Sequence, residues 1–96
     1  MEKHKWTAEE NYDFCVEYIY AYIIDKEGLT LTEMAQRMQD LHPHLKRSSI
    51  EKKLKNIRFL SMEKGLNDSA TFSPLYRYSH QCWVCFEDAL SNLQVV

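Results

Sequence analysis

Two stretches of this 96-residue chain carry residue types whose spacing could do chemistry. "HQCWVC" places His80, Cys82 and Cys85 close together, a donor set suited to zinc, with His42 or His44 available to complete a tetrahedron. Structural zinc usually takes a second paired knuckle. Cys15, Cys82 and Cys85 are the only cysteines, so no other pair exists and no metal is expected. A redox role for the Cys-Trp-Val-Cys run needs a preceding strand and a helix N-terminus at the motif, and no such strand is readable. The second stretch is "KRSSIEKKLKNIR", residues 46–58, which holds six of the twelve Lys and Arg residues in a chain of net charge −2. Its chemistry would be neutralisation of phosphates.

Nothing else has the pattern of a catalytic site. There is no glycine-rich phosphate loop and no localisable Ser-His-Asp set. Glu9 and Glu10 suit the positive end of a helix dipole, and Glu87 and Asp88 fall on an exposed face. The expectation is no catalytic residue, no cofactor, no small-molecule substrate and no enzyme activity.

Four helices are predicted to position these residues, with no strand, in one domain covering 1–96. Ninety-six residues, 45% hydrophobic with two Gly and two Pro, suit one small helical core. The first helix spans about 8–26, capped by Thr7 with Glu10 three residues on and stopped by Gly28. Tyr12, Cys15, Val16, Ile19, Tyr22 and Ile23 form its inward stripe; Phe14, Tyr18, Tyr20 and Ile24 fall outside it. The second spans 32–41 behind Thr32, with Met34, Ala35, Met38 and Leu41 inward, and Pro43 ends it. The third spans 49–64, with Ser48 as N-cap and Gly65 as stop. The fourth spans 79–93, with Cys82, Trp83, Phe86, Ala89, Leu90 and Leu93 inward.

On a helical wheel, Ile50, Leu54, Ile57 and Ser61 bury one side of the third helix. Ser48, Lys52, Lys55, Asn56 and Phe59 then fall on the opposite side, flanked by Lys53 and Arg58. Lys and Arg suit phosphates or guanine edges, Asn suits adenine, and the Ser48 and Ser49 amides offer a helix N-terminus. Lys46 and Arg47 extend the basic run into the connection. Two helices joined by the bent "HPHLKR" segment have helix–turn–helix order. The acids Glu9, Glu10, Asp13 and Glu17 are expected at the opposite end of the molecule.

"KWTAEE" resembles the start of the first helix in SANT/Myb-like domains, and "KRSSIEKKLKNI" resembles their third. The same segments are similar to a helical domain that precedes the nuclease module in some bacterial HNH endonucleases. That domain has a Trp-acidic start and an Arg, Ser-Ile/Val, Lys-Leu and Asn pattern, matched here by Arg47, Ser49-Ile50, Lys53-Leu54 and Asn56. It continues into a Gly-Leu turn, like Gly65-Leu66, and a closing aromatic helix. The resemblance implies a three-helix arrangement with a nucleic-acid face on Arg47, Ser49, Lys52, Lys53 and Asn56. It does not imply cleavage.

The expected function is therefore binding of nucleic acid, most simply duplex DNA. The alternative is a small adaptor or inhibitor docking through the first and third helices. Phe14, Tyr18, Tyr20 and Ile24 are more apolar surface than a 96-residue monomer should leave uncovered, which suits a homodimer or a protein partner, and Tyr20, Ile24 and Phe59 are the interface candidates. "MEKHKWTAEE" has no apolar run of a signal peptide, no segment is long enough to span a bilayer, and the cysteine count suits a reducing compartment. A cytoplasmic location is expected, or nuclear in a eukaryote.

Overall fold

Thr7 opens the first helix as its sequence predicts. Its hydroxyl accepts from the Glu10 amide at 3.1 Å, and the Glu10 carboxylate accepts from the Thr7 amide at 2.9 Å. The computed structural model describes residues 4–95. It is all-helical, with four helices: α1 Ala8–Tyr18, α2 Leu31–Leu41, α3 Arg47–Glu63 and α4 His80–Asn92. Among the described residues there is no strand, and no helix is long and apolar enough to cross a membrane.

α1 does not run as one α-helix to residue 26. Ile19–Ile24 continue it as a π-helical turn, after which the Asp25 amide donates to Tyr20 O at 2.8 Å and Glu27 to Ala21 O at 2.7 Å. Lys26, at φ +51°, takes the left-handed position expected of Gly28. α1 packs against α4 on one flank and α3 on another. Two covered flanks explain why Phe14 and Tyr18 are fully buried although they lie off the expected stripe, while Tyr12 and Val16 are only half-buried. Tyr20 and Ile24 remain 44% and 43% exposed.

α2 starts one residue earlier than expected, because the capping box belongs to Thr30 and Glu33 rather than to Thr32. Met34, Ala35 and Met38 are buried, and Leu41 is exposed where burial was expected. α3 also starts early, at Arg47. Its N-cap is Lys46, whose side chain does not cap the helix, so Ser48 and Ser49 lie inside the first turn. Gly65, at φ +66°, follows its end as anticipated, a position that favours a residue without Cβ. α4 is capped by the Ser79 hydroxyl, which accepts from the Cys82 amide at 3.1 Å. Cys82, Phe86, Ala89 and Leu90 point inward, with Cys85 buried beside them. Trp83 does not: it is 40% exposed and stacks on His80 at 5.7 Å between ring centroids.

The long connection before α4 is held by Asp68. Its carboxylate accepts from the Tyr18 hydroxyl at 2.6 Å and from the Ala70 amide at 2.7 Å, and Arg58 Nη1 lies 3.6 Å away. The Ser69 amide donates to Tyr22 O at 2.9 Å, which ties the same connection to the π-helical turn. Burial and the carboxylate together raise the Tyr18 phenol far above its ordinary pKa, so it remains the proton donor.

Candidate nucleic-acid interface

α3 contacts α1, α2 and α4, so more than one side of it is covered. Ile50, Leu54, Ile57, Leu60 and Ser61 are buried as the wheel requires. Lys53 and Asn56 are buried too, at 5% and 9% exposure, which removes both from the face that the wheel assigned them. Lys53 Nζ donates to Asn11 Oδ1 at 2.7 Å and sits 4.6 Å above the Trp6 ring. Asn11 in turn donates to Thr7 O at 3.1 Å and to Gln81 Oε1 at 2.7 Å. Burial pushes the Lys53 ammonium below its ordinary pKa. The Asn56 amide oxygen has no hydrogen-bond partner among the described residues.

The two arginines of the basic segment also have internal work. Arg47 donates to Gln36 Oε1 and, at 3.3 Å, to Gln39 Oε1, while Gln39 donates to Leu45 O. These bonds fix the α2–α3 connection and explain why α3 begins at Arg47 instead of Ser49. Arg58 donates to Phe72 O at 3.3 Å as well as facing Asp68, so it fastens the long connection to α3.

What remains outward is a narrower strip. Ser48 and Lys52 are exposed, and Lys55 and Ser49 are half-exposed. Lys46 is exposed at the helix entry. Among the described residues neither Lys52 nor Lys55 belongs to an ion pair. The Arg47, Ser48 and Ser49 amides precede the first intrahelical bond, made by the Ile50 amide to Lys46 O at 3.0 Å.

The strip continues into residues that periodicity alone did not flag. The Leu75 amide donates to Lys55 O at 3.1 Å and draws the connection along α3. Phe59 then stacks on Tyr76, with centroids 5.1 Å apart and planes 14° from parallel, and on Tyr78 at 5.9 Å. Tyr76 is 71% exposed, and Arg77 between the two tyrosines is exposed. The alternation of aromatic and basic residues in "YRY" was the available signal.

Two of the acids expected at the opposite end, Glu10 and Asp13, stand instead beside the α2–α3 connection, where Asp13 Oδ2 lies 2.6 Å from His42 Nε2. Glu10 meets His44, just ahead of the basic segment, at 2.6 Å. His80, Cys82 and Cys85 do not converge as metal ligands either: the Cys85 thiol donates to Ala8 O at 3.6 Å, and the His80 ring is taken up with Trp83. No protein family, curated protein or solved structure matches the chain.

Proposed function

We propose that the chain is a nucleic-acid-binding module that holds duplex DNA through the outer strip of α3 and carries out no chemistry on it. The observation that carries this reading is the pair Lys52 and Lys55, outward on one strip and without ion-pair partners among the described residues. Cations left free on one helix face attract phosphates, and their release of counterions drives binding. Further support comes from the amides of the first turn, from the neighbouring Arg77 and from the helix–turn–helix order of α2 and α3. The resemblance of "KWTAEE" and "KRSSIEKKLKNI" to SANT/Myb-like and HNH-associated helical domains points the same way.

The test is gel-shift titration on random duplex DNA at several salt concentrations, with Lys52→Glu/Lys55→Glu beside wild type. Removing two phosphate contacts lowers the slope of log affinity against log salt by about 2 and weakens binding. Both residues lie outside the buried core, so helical circular dichroism stays intact. A folded double variant that binds as wild type does refutes the interface. A second reading, docking of a protein partner or second copy, is favoured by the exposure of Tyr20 and Ile24. Retention that does not change with salt would select it.

A further inference from the structure

Three of the chain's four histidines gather at the N-terminal end of α1. His4 Nε2 stands 2.8 Å from Glu10 Oε1, and His44 Nε2 stands 2.6 Å from Glu10 Oε2. The His4 and His44 rings are 5.7 Å apart, and His42 lies 6.0 Å beyond His44 with its own Nε2 2.6 Å from Asp13 Oδ2. The two imidazole nitrogens and the carboxylate of the first group all lie within 4.8 Å of one another. They come from three parts of the chain: the segment before α1, the first turn of α1, and the α2–α3 connection.

Both Nε2 atoms lie within hydrogen-bond distance of the same carboxylate. Two imidazole nitrogens and one carboxylate gathered within 4.8 Å are the donor set of a four-coordinate transition dication with one open position. Tetrahedral ligands at ~2.0–2.1 Å from a metal stand roughly 3.3 Å apart, so the His4–Glu10 contact of 2.8 Å needs to open by about 0.5 Å and the His44–Glu10 contact of 2.6 Å by about 0.7 Å, while the two imidazole nitrogens already lie within 4.8 Å of each other. The His44 side chain is 55% exposed and has room to turn. Glu10 is already oriented: its Oε1 accepts from the Thr7 amide at 2.9 Å. Trp6 packs edge-on against His4, with centroids 5.4 Å apart, and holds that ring toward the group. Glu10 is ionised at neutral pH, since its hydrogen bonds outweigh the effect of burial.

We propose that His4 Nε2, Glu10 and His44 Nε2 form a binding site for a divalent transition metal of the zinc class. Two nitrogen donors out of three disfavour magnesium and calcium, which take oxygen. The bound ion would clip the segment before α1 to the connection ahead of α3, and the site does not depend on the chain's binding nucleic acid.

Isothermal titration of the full chain with zinc chloride tests the site, with cobalt(II) absorption as a geometric probe. The expected result is one ion per chain, a tetrahedral cobalt spectrum and a melting temperature that rises with zinc concentration. His44→Ala and His4→Ala each weaken zinc binding about tenfold or more, by removal of a ligand, while His80→Ala leaves it unchanged. Circular dichroism confirms that the His44 variant folds. Absence of one-to-one binding at about 1 mM zinc, which leaves at most ~4 kcal/mol of affinity, overturns the proposal. So does binding that survives His44→Ala and is lost in Cys82→Ser.

Discussion

Replacement of Lys53 by methionine separates the interior of α3 from its outer strip. Lys53 is 5% exposed, its ammonium 2.7 Å from Asn11 Oδ1 and 4.6 Å above Trp6. Methionine keeps most of the aliphatic stem and removes the charge. The variant leaves Asn11 Oδ1 unpaired, at a cost of about 1–3 kcal/mol, but it also abolishes the desolvation of an ammonium, a term of similar size or larger. Lys53→Met is therefore expected within about 1.5 kcal/mol of wild type. Lys53→Ala removes the stem as well and should cost about 3 kcal/mol. The pH dependence carries the sign. Because burial lowers the folded-state pKa of Lys53, the unfolded chain binds more protons between that value and the ordinary 10.5. Wild type should therefore gain stability relative to Lys53→Met as pH rises through that interval. Urea unfolding of both proteins at pH 7 and at intervals to pH 10 measures the difference, in which the other titrating groups cancel. A flat difference, or one that moves against wild type, would show that the ammonium is not desolvated. On the proposed function Lys53→Met also keeps full DNA binding, unlike Lys52→Glu/Lys55→Glu.

Two further predictions address the cap and the core. Burial opposes ionisation of Glu10, but hydrogen bonds from the Thr7 amide, His44 and His4 outweigh it and lower its pKa to about 2. A depressed carboxylate stabilises above its ordinary 4.5 and loses that contribution as pH falls toward 2, so the wild-type advantage over Glu10→Gln should shrink by about 1–2 kcal/mol across that window, after allowance for solvent screening; a constant difference in acid denaturation refutes it. Leu54→Ala should cost about 2–5 kcal/mol and Trp83→Ala less than about 1.5 kcal/mol, as read by thermal melting, because Leu54 is fully buried and Trp83 keeps 40% of its surface exposed; the reverse order would mean that α4 is rotated.

The four helices were legible because their signals are local. Thr7 with Glu10, Gly65 after the third helix and Pro43 after the second act within a turn of where they stand in sequence. Thr30 was legible in principle as well: Glu33 follows it by three residues, and that spacing selects it over Thr32. Ser48 with Glu51 offers the same spacing, yet α3 begins ahead of it, because Arg47 is held by Gln36 and Gln39 from the preceding helix. The wheel failed where one helix meets several others. It assumes a single buried side, whereas α3 meets α1, α2 and α4, and the second covered side takes Lys53 and Asn56. The π-helical turn shifts the phase of the first helix in a way that no fixed period carries. The histidine group had no spacing to read, since His4, Glu10 and His44 meet only after folding.

These corrections change the scale of the proposed interface. Of the six basic residues at 46–58, Lys53 is internal, Arg47 and Arg58 hold neighbouring segments, and Lys46 lies exposed at the helix entry rather than on the strip. Lys52 and Lys55 alone would neutralise about two phosphates, which gives a salt slope near 2, well below that of proteins making 6–10 such contacts. Tight binding on this reading needs more surface than one strip. Within one chain the nearest addition is the Phe59, Tyr76 and Tyr78 stack with Arg77; between chains it is a second copy held through Tyr20 and Ile24, which presents the strip twice. The salt slope separates the two, because Arg77 adds about one contact whereas a second copy doubles the count.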